Sequence, residues 1–151
     1  MASVKERIDA DLKDAMRQKN ELTLGVLRML KSAVKYKEVE PGAQPLDDAG
    51  VFQVISTQVK QRREAAEQYR AGNRTDLAEK EEREIAVLQS YLPAQASSEQ
   101  IAQEVKDAIA QVGAQGPKDM GAVMKVVGAK LKGRAEGKVI SDAVKAALAA
   151  L

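Results

Sequence analysis

The 151-residue chain has no cysteine, no histidine and no tryptophan. Without cysteine it has neither disulfides nor thiolates, and an intracellular setting is the default. Without histidine it lacks the commonest general base and the commonest transition-metal ligand. Catalysis would have to rest on carboxylates, lysine, tyrosine or serine, so the expectation is a chain with no catalytic residues of its own, no metal and no cofactor. Aromatic residues are scarce, with one phenylalanine and three tyrosines. The core must therefore be built from Leu, Ile, Val, Met and Ala, and with 30% of residues charged this favours helices over sheet. No run approaches the ~18 apolar residues that suggest a membrane span, and the start, Met-Ala-Ser-Val-Lys-Glu, lacks the apolar core of a signal peptide. A soluble, cytoplasmic protein that does not engage membranes is expected. No alternating apolar run of strand length is present either.

What is present is helical periodicity. Ser3-Val4-Lys5-Glu6 reads as a capping box, followed by Val4, Ile8, Leu12, Ala15 and Met16 at helical spacing. A second helix, about 21–40, carries Leu22, Val26, Met29, Leu30, Ala33 and Val34 over a wide arc and should be the most buried. Pro41-Gly42 and Pro45 break the pattern. A third helix, about 47–71, presents Val51, Val54, Ile55, Val59, Ala66 and Tyr69, and Gly72 suits its end. A fourth, about 75–91, carries Leu77, Ile85 and Leu88 and stops before Pro93. Residues 93–96 look like a linker, and Ser97-Ser98-Glu99-Gln100 is a second capping box. Ile101, Val105, Ile109 and Val112 then form one stripe; Met120, Val123, Met124, Val127 and Leu131 form another behind Gly116-Pro117. Val139 or Ile140, with Ala143, Val144, Ala147 and Leu148, form the last. The expected fold is all-α, with an N-terminal four-helix bundle-like domain at 1–93 and a small three-helix domain at 97–151.

Charge is distributed unevenly between these halves. The net charge of the chain is only +2, and residues 1–96 balance at 16 basic and 16 acidic. Between Lys118 and Lys138 six basic residues, Lys118, Lys125, Lys130, Lys132, Arg134 and Lys138, face two acids, Asp119 and Glu136. A concentrated positive patch is an address for a polyanion, and RNA fits best. A 100° step places Lys118, Lys125 and Lys132 within ~40° of one another, although a solvated lysine face gives the same pattern. Gly121 and Gly128, each costing ~1 kcal/mol against alanine in a helix, suggest close approach of another backbone. Gly133-x-x-x-Gly137-Lys138 falls one residue short of a phosphate-binding loop and is followed by Val139 rather than Ser or Thr, so no nucleotide site is assigned. Arg28, Lys31 and Lys35 make a lesser basic stripe on the second helix. On the third and fourth helices charge interrupts apolar stripes: Arg62 lies between Val59 and Ala66, and Glu81 with Glu84 lies on the Leu77–Ile85–Leu88 face. In a hairpin these should pair, since a buried charge without a partner is expensive. A structural ion pair of Arg62 with Glu81 or Glu84 is expected.

Several phrases taken together resemble one family: Leu27-Arg28-Met29-Leu30-Lys31-Ser32-Ala33, Lys60-Gln61-Arg62-Arg63-Glu64 with Gln68-Tyr69, Asn73-Arg74-Thr75-Asp76-Leu77-Ala78, Glu84-Ile85 through Tyr91-Leu92-Pro93, and Lys118-Asp119-Met120-Gly121 with the turn 133–138. In order and spacing they are similar to the GatB/YqeY family over essentially the whole chain. The resemblance implies an N-terminal helical bundle and a C-terminal three-helix domain like the tail of GatB, a subunit of the tRNA-dependent amidotransferase. In that enzyme the tail contacts tRNA while other domains do the chemistry. Related domains are fused to glutaminyl-tRNA synthetase, and a label of carbon–nitrogen ligase with glutamine as amide donor follows the family. Glu136 stands where the family usually has Asp, at a capping position. Three functions stay open at this point: a non-catalytic tRNA-binding accessory protein, an adaptor docking onto glutaminyl-tRNA synthetase or amidotransferase subunits, and a component of an amidoligase.

Overall fold

A computed structural model describes residues 2–151. Among them there are seven α-helices, one short 3-10 turn and no strand. The chain divides into two compact units, one ending at Leu92 and the other running from Pro93 to Leu151.

In the N-terminal unit, α1 (Val4–Gln18) and α2 (Glu21–Glu38) form an antiparallel hairpin. Ser3 starts α1 by accepting the Glu6 amide through its hydroxyl, and Lys19 ends it in the left-handed conformation at φ 55°. Asn20 then caps α2 by accepting the Thr23 amide, so two residues suffice to reverse the chain. The loop after α2 turns at Gly42, whose φ of 79° favours a residue without a Cβ. Its far end is fixed where the Leu46 amide donates to Glu38 Oε2 at 2.7 Å. The Glu38 carboxylate also accepts from Lys5, and these two donors, Lys5 first, lower its pKa. Asp47 caps α3 (Asp48–Ala71) at the Gly50 amide, and the Val4 amide donates to Asp48 Oδ1 at 3.0 Å. Starting α3 at Asp47 therefore also anchors the first turn of α1. Asn73, at φ 59°, turns the chain into α4 (Thr75–Gln89).

The apolar stripes of all four helices meet in one core, with Leu27, Leu30, Val51, Ile55 and Leu88 excluded from solvent. Each such fully buried side chain contributes ~1.5–3 kcal/mol. Two expectations need correction here. Met29 is 59% exposed; Leu27 is buried in its place, because the arc of α2 that faces the core is centred on Val26, Leu27, Leu30 and Val34. The fourth helix ends at Gln89 rather than Tyr91, with Ser90 Oγ donating back to the Val87 carbonyl at 2.6 Å.

Tyr91 lies just beyond the helix and is a core residue, 4% exposed. Its hydroxyl donates to Asp11 Oδ2 at 2.5 Å, and the Arg7 guanidinium lies 5.2 Å from the ring centroid, within cation–π range. Burial, then the bond to Asp11, raises the phenol pKa well above its ordinary value. Tyr91→Phe should lower stability at neutral pH by ~1.5 kcal/mol, the lower end for a hydrogen bond to a charged group. The sign of the pH effect follows from the raised pKa. In the unfolded chain the phenol ionises near pH ~10, whereas in the fold it stays neutral to higher pH. Its contribution is complete below pH ~10 and is lost as pH rises toward the folded value. Urea titrations at pH 7 and above pH 10 should therefore show the gap between parent and Tyr91→Phe narrowing at alkaline pH.

The C-terminal unit packs α5 (Ser98–Val112), α6 (Met120–Lys130) and α7 (Gly137–Ala149) around Val105, Val123, Val127, Leu131, Val144 and Leu148. The full reciprocal capping box forms at Ser97: its hydroxyl accepts the Gln100 amide while the Gln100 side chain accepts the Ser97 amide. Gly113, at φ 68°, ends α5 in the left-handed conformation. The buried stripe of α5 is Ile101, Val105 and Ala108, and Val112, expected inside, is 36% exposed. Pro117–Asp119 form the 3-10 turn ahead of α6. All four aromatic side chains of the protein, Tyr36, Phe52, Tyr69 and Tyr91, belong to the N-terminal unit; the C-terminal unit has none.

Candidate nucleic-acid interface

The six basic residues of 118–138 do not behave alike. Lys118, Lys125, Lys132 and Lys138 are exposed and make no ion pair with any carboxylate of the described residues. Lys130 is engaged, with Nζ 3.5 Å from Glu104 Oε2 across the α5–α6 contact. Arg134 is a structural residue. Its Nε donates to the Ala94 carbonyl at 3.0 Å, its carbonyl accepts the Ala96 amide at 2.8 Å, and its own amide donates to the Leu131 carbonyl at 2.8 Å. Gln95 adds a side-chain bond to the Gly133 carbonyl at 3.1 Å. Residues 93–96, which read as a linker in sequence, are thus strapped along the turn after α6 and belong to the C-terminal unit.

The expected lysine stripe is also revised. Only Lys125 and Lys130 lie on α6 itself. Lys118 lies in the 3-10 turn, where residues advance about three per turn, and Lys132 follows the terminal Leu131. The α-helical step that places the three on a common 40° arc does not run unbroken from Lys118 to Lys132; the lysines extend from the entry of α6 to the start of α7. Nor does any backbone approach Gly121 or Gly128, since a Cβ at either would meet no atom within 4 Å. Their lack of a side chain leaves α6 open on that flank. Asp119 Oδ2 accepts the Gln115 amide at 2.8 Å and so closes the loop before α6. Glu136 is the N-cap residue of α7, without a side-chain cap bond.

Arg134→Gln should therefore act on stability before it acts on binding. Losing the charged donor to Ala94 is expected to cost the C-terminal unit ~1.5 kcal/mol, and amide exchange at Ala96 should accelerate. Unchanged exchange there would return Arg134 to the set of ligand-facing cations.

In the N-terminal unit most cations have partners. Lys31 Nζ is 2.8 Å from Asp9 Oδ1, Arg70 is 2.6 Å from Glu82 and Arg74 is 3.3 Å from Asp76. The smaller basic stripe is likewise used up in part, with Arg28 directed at the Met16 sulfur at 4.0 Å. Arg62 lies between the facing helices, its side chain 11% exposed, with Nη1 3.2 Å from Glu81 Oε2 and bonded to Glu84 Oε2. Its other terminal nitrogen is 3.5 Å from the Met29 sulfur. The pairs Tyr91–Asp11 and Lys5–Glu38 had no sequence signal, because 80 and 33 residues separate the partners. Among the described residues no group of three or more acidic side chains is arranged to hold a metal ion, and no helix is long and apolar enough to cross a membrane.

An all-helical protein of two units, the second carrying exposed lysines without carboxylate partners, is what this geometry defines. The chain belongs to the Yqey-like protein family, whose model matches residues 5–148. It is similar to a protein of Pyrenophora tritici-repentis named altered inheritance of mitochondria protein 41, mitochondrial, with 35% identity over 133 residues covering 85% of this chain and 71% of the relative. Proteins of the same name from Lachancea thermotolerans and Meyerozyma guilliermondii are 37% and 33% identical, over 54% and 70% of this chain. The chain spans about half the length of these last two, 44% and 56%.

Proposed function

We propose that the protein is a non-catalytic, cytoplasmic tRNA-binding accessory factor, acting alone or beside the amidation and glutaminylation machinery that the GatB/YqeY resemblance implies. The observation that carries this reading is the set Lys118, Lys125, Lys132 and Lys138, exposed and without carboxylate partners among the described residues, clustered between the entry of α6 and the start of α7. Phosphate contact is the mechanism these side chains support. Base stacking has no platform in a unit without aromatic residues, so RNA shape would have to supply discrimination.

The adaptor reading rests on a different observation. Met29 and Tyr36 of α2 are 59% and 70% exposed, and Tyr36 borders a groove of about 410 Å³ between α2 and α3 that includes Ala33, Leu46 and Val54. Fluorescence anisotropy with total tRNA at increasing salt separates the two. The tRNA reading requires binding that weakens steeply with salt, whereas a pure adaptor shows negligible affinity at physiological salt.

A further inference from the structure

The hairpin of α1 and α2 contains a slot that none of the roles above uses. It has a volume of about 230 Å³ and is lined by Lys5, Ile8, Asp9, Lys31, Val34, Lys35 and Glu38. Ile8 and Val34 are core residues, 3% and 6% exposed, and they supply its apolar floor. Lysine stems are hydrocarbon up to the ammonium, so they extend the apolar wall while their charges stay at the rim.

The rim charges follow helix register. Lys5 and Asp9 are four apart on α1; Lys31, Lys35 and Glu38 fall at i, i+4 and i+7 on α2, all on one face. Because the helices are antiparallel, Lys5 meets Glu38 at one end of the slot and Lys31 meets Asp9 at the other. Glu38 also accepts the Leu46 amide, so its carboxylate is engaged twice. Both acids of the slot are thereby neutralised. Lys35, between the two pairs on α2, is the slot cation with no carboxylate partner among the described residues. Three ammonium groups against two carboxylates leave a charge of +1 over an apolar floor.

We propose that this slot binds a small amphiphilic monocarboxylate, its head at Lys35 and its short aliphatic body over Ile8 and Val34. The single excess charge matches a monoanion. The volume is below the ~300–1,000 Å³ of drug-sized ligand sites, which restricts the body to a short chain.

The test is a titration of the ¹⁵N-labelled full chain with hexanoate, alongside hexanol, hexylammonium and inorganic phosphate. Hexanoate should produce saturable shifts confined to the backbone amides of α1 and the second half of α2, and hexylammonium should produce none there. Lys35→Gln should weaken hexanoate about tenfold, the scale of one charge-assisted hydrogen bond, and leave hexanol unaffected; Lys35→Arg should retain binding. Lys35 is exposed, so neither variant threatens the fold. Three results overturn the proposal: hexanol binding as tightly as hexanoate, phosphate reproducing the same shifts, or Lys35→Gln binding hexanoate like the parent.

Discussion

Replacing Arg62 with alanine should destabilise the N-terminal unit by ~3 kcal/mol. The guanidinium is 11% exposed and its carboxylate partners Glu81 and Glu84 are 19% and 13% exposed. The pair is therefore largely shielded from water, and exposed pairs, worth ~0–1 kcal/mol, are a poor guide to it. Alanine would leave two carboxylates side by side on α4 against the face of α3 without their cation, with the outlying Lys80, 3.9 Å from Glu84, as a weak offset. At roughly 4–8 °C per kcal/mol for a unit of this size, the melting temperature should fall by ~12 °C or more. Most of this loss is the penalty of stranded charge rather than the worth of the pair. Arg62→Met combined with Glu81→Gln and Glu84→Gln should accordingly recover most of it. A melting temperature unchanged in Arg62→Ala would show that the carboxylates are solvated without their partner.

The second large effect concerns RNA. Each lysine that neutralises a phosphate releases condensed counterions, and log K falls against log salt with a slope of about −0.9 per contact on a duplex. Changing Lys118, Lys125, Lys132 and Lys138 together to glutamine should reduce the slope for total tRNA by as much as ~3.6 and lower affinity by orders of magnitude at low salt. None of the four contributes to the core or holds an ion pair, so the far-ultraviolet spectrum and melting temperature should not change. Arg134 and Lys130 are left in place because Arg134 bonds to the Ala94 carbonyl and Lys130 forms an ion pair with Glu104, and changing them would mix folding with binding. A quadruple variant that binds with the parental affinity and slope would reduce the lysines to a solvated surface and favour the adaptor reading.

Most of the helical architecture could be read from residue patterns because local rules determine it. Ser97 with Gln100, Asn20, Asp47 and Gly113 start or stop helices through bonds within a few residues, and the apolar periods between them identify the core faces. The Arg62 pairing was legible for the same reason: a charge on an apolar stripe, in a hairpin, has few places to find its partner. The basic surface was less legible. Arg134 looked like one more cation, and nothing near it in sequence announces that its partner is the carbonyl of Ala94, 40 residues earlier. The lysine stripe failed because the 100° step was extended through the 3-10 turn and past Leu131, where the chain is no longer α-helical. Gly121 and Gly128 misled because a small residue opens a surface as readily as it admits a neighbour. Tyr91 passed for a helix terminus because its acceptor, Asp11, lies at the other end of the unit's chain.

The confinement of all aromatic side chains to the N-terminal unit makes this protein its own two-channel reporter. Tyrosine absorbance and fluorescence register only the unit ending at Leu92, whereas far-ultraviolet dichroism registers the helices of both. Unfolding curves that coincide in the two channels would mean that the units melt together. Where they separate, the dichroism remaining after the tyrosine signal is fitted belongs to residues 93–151. The stability of the basic unit can thus be measured in the intact chain, with no label and no cut between the units.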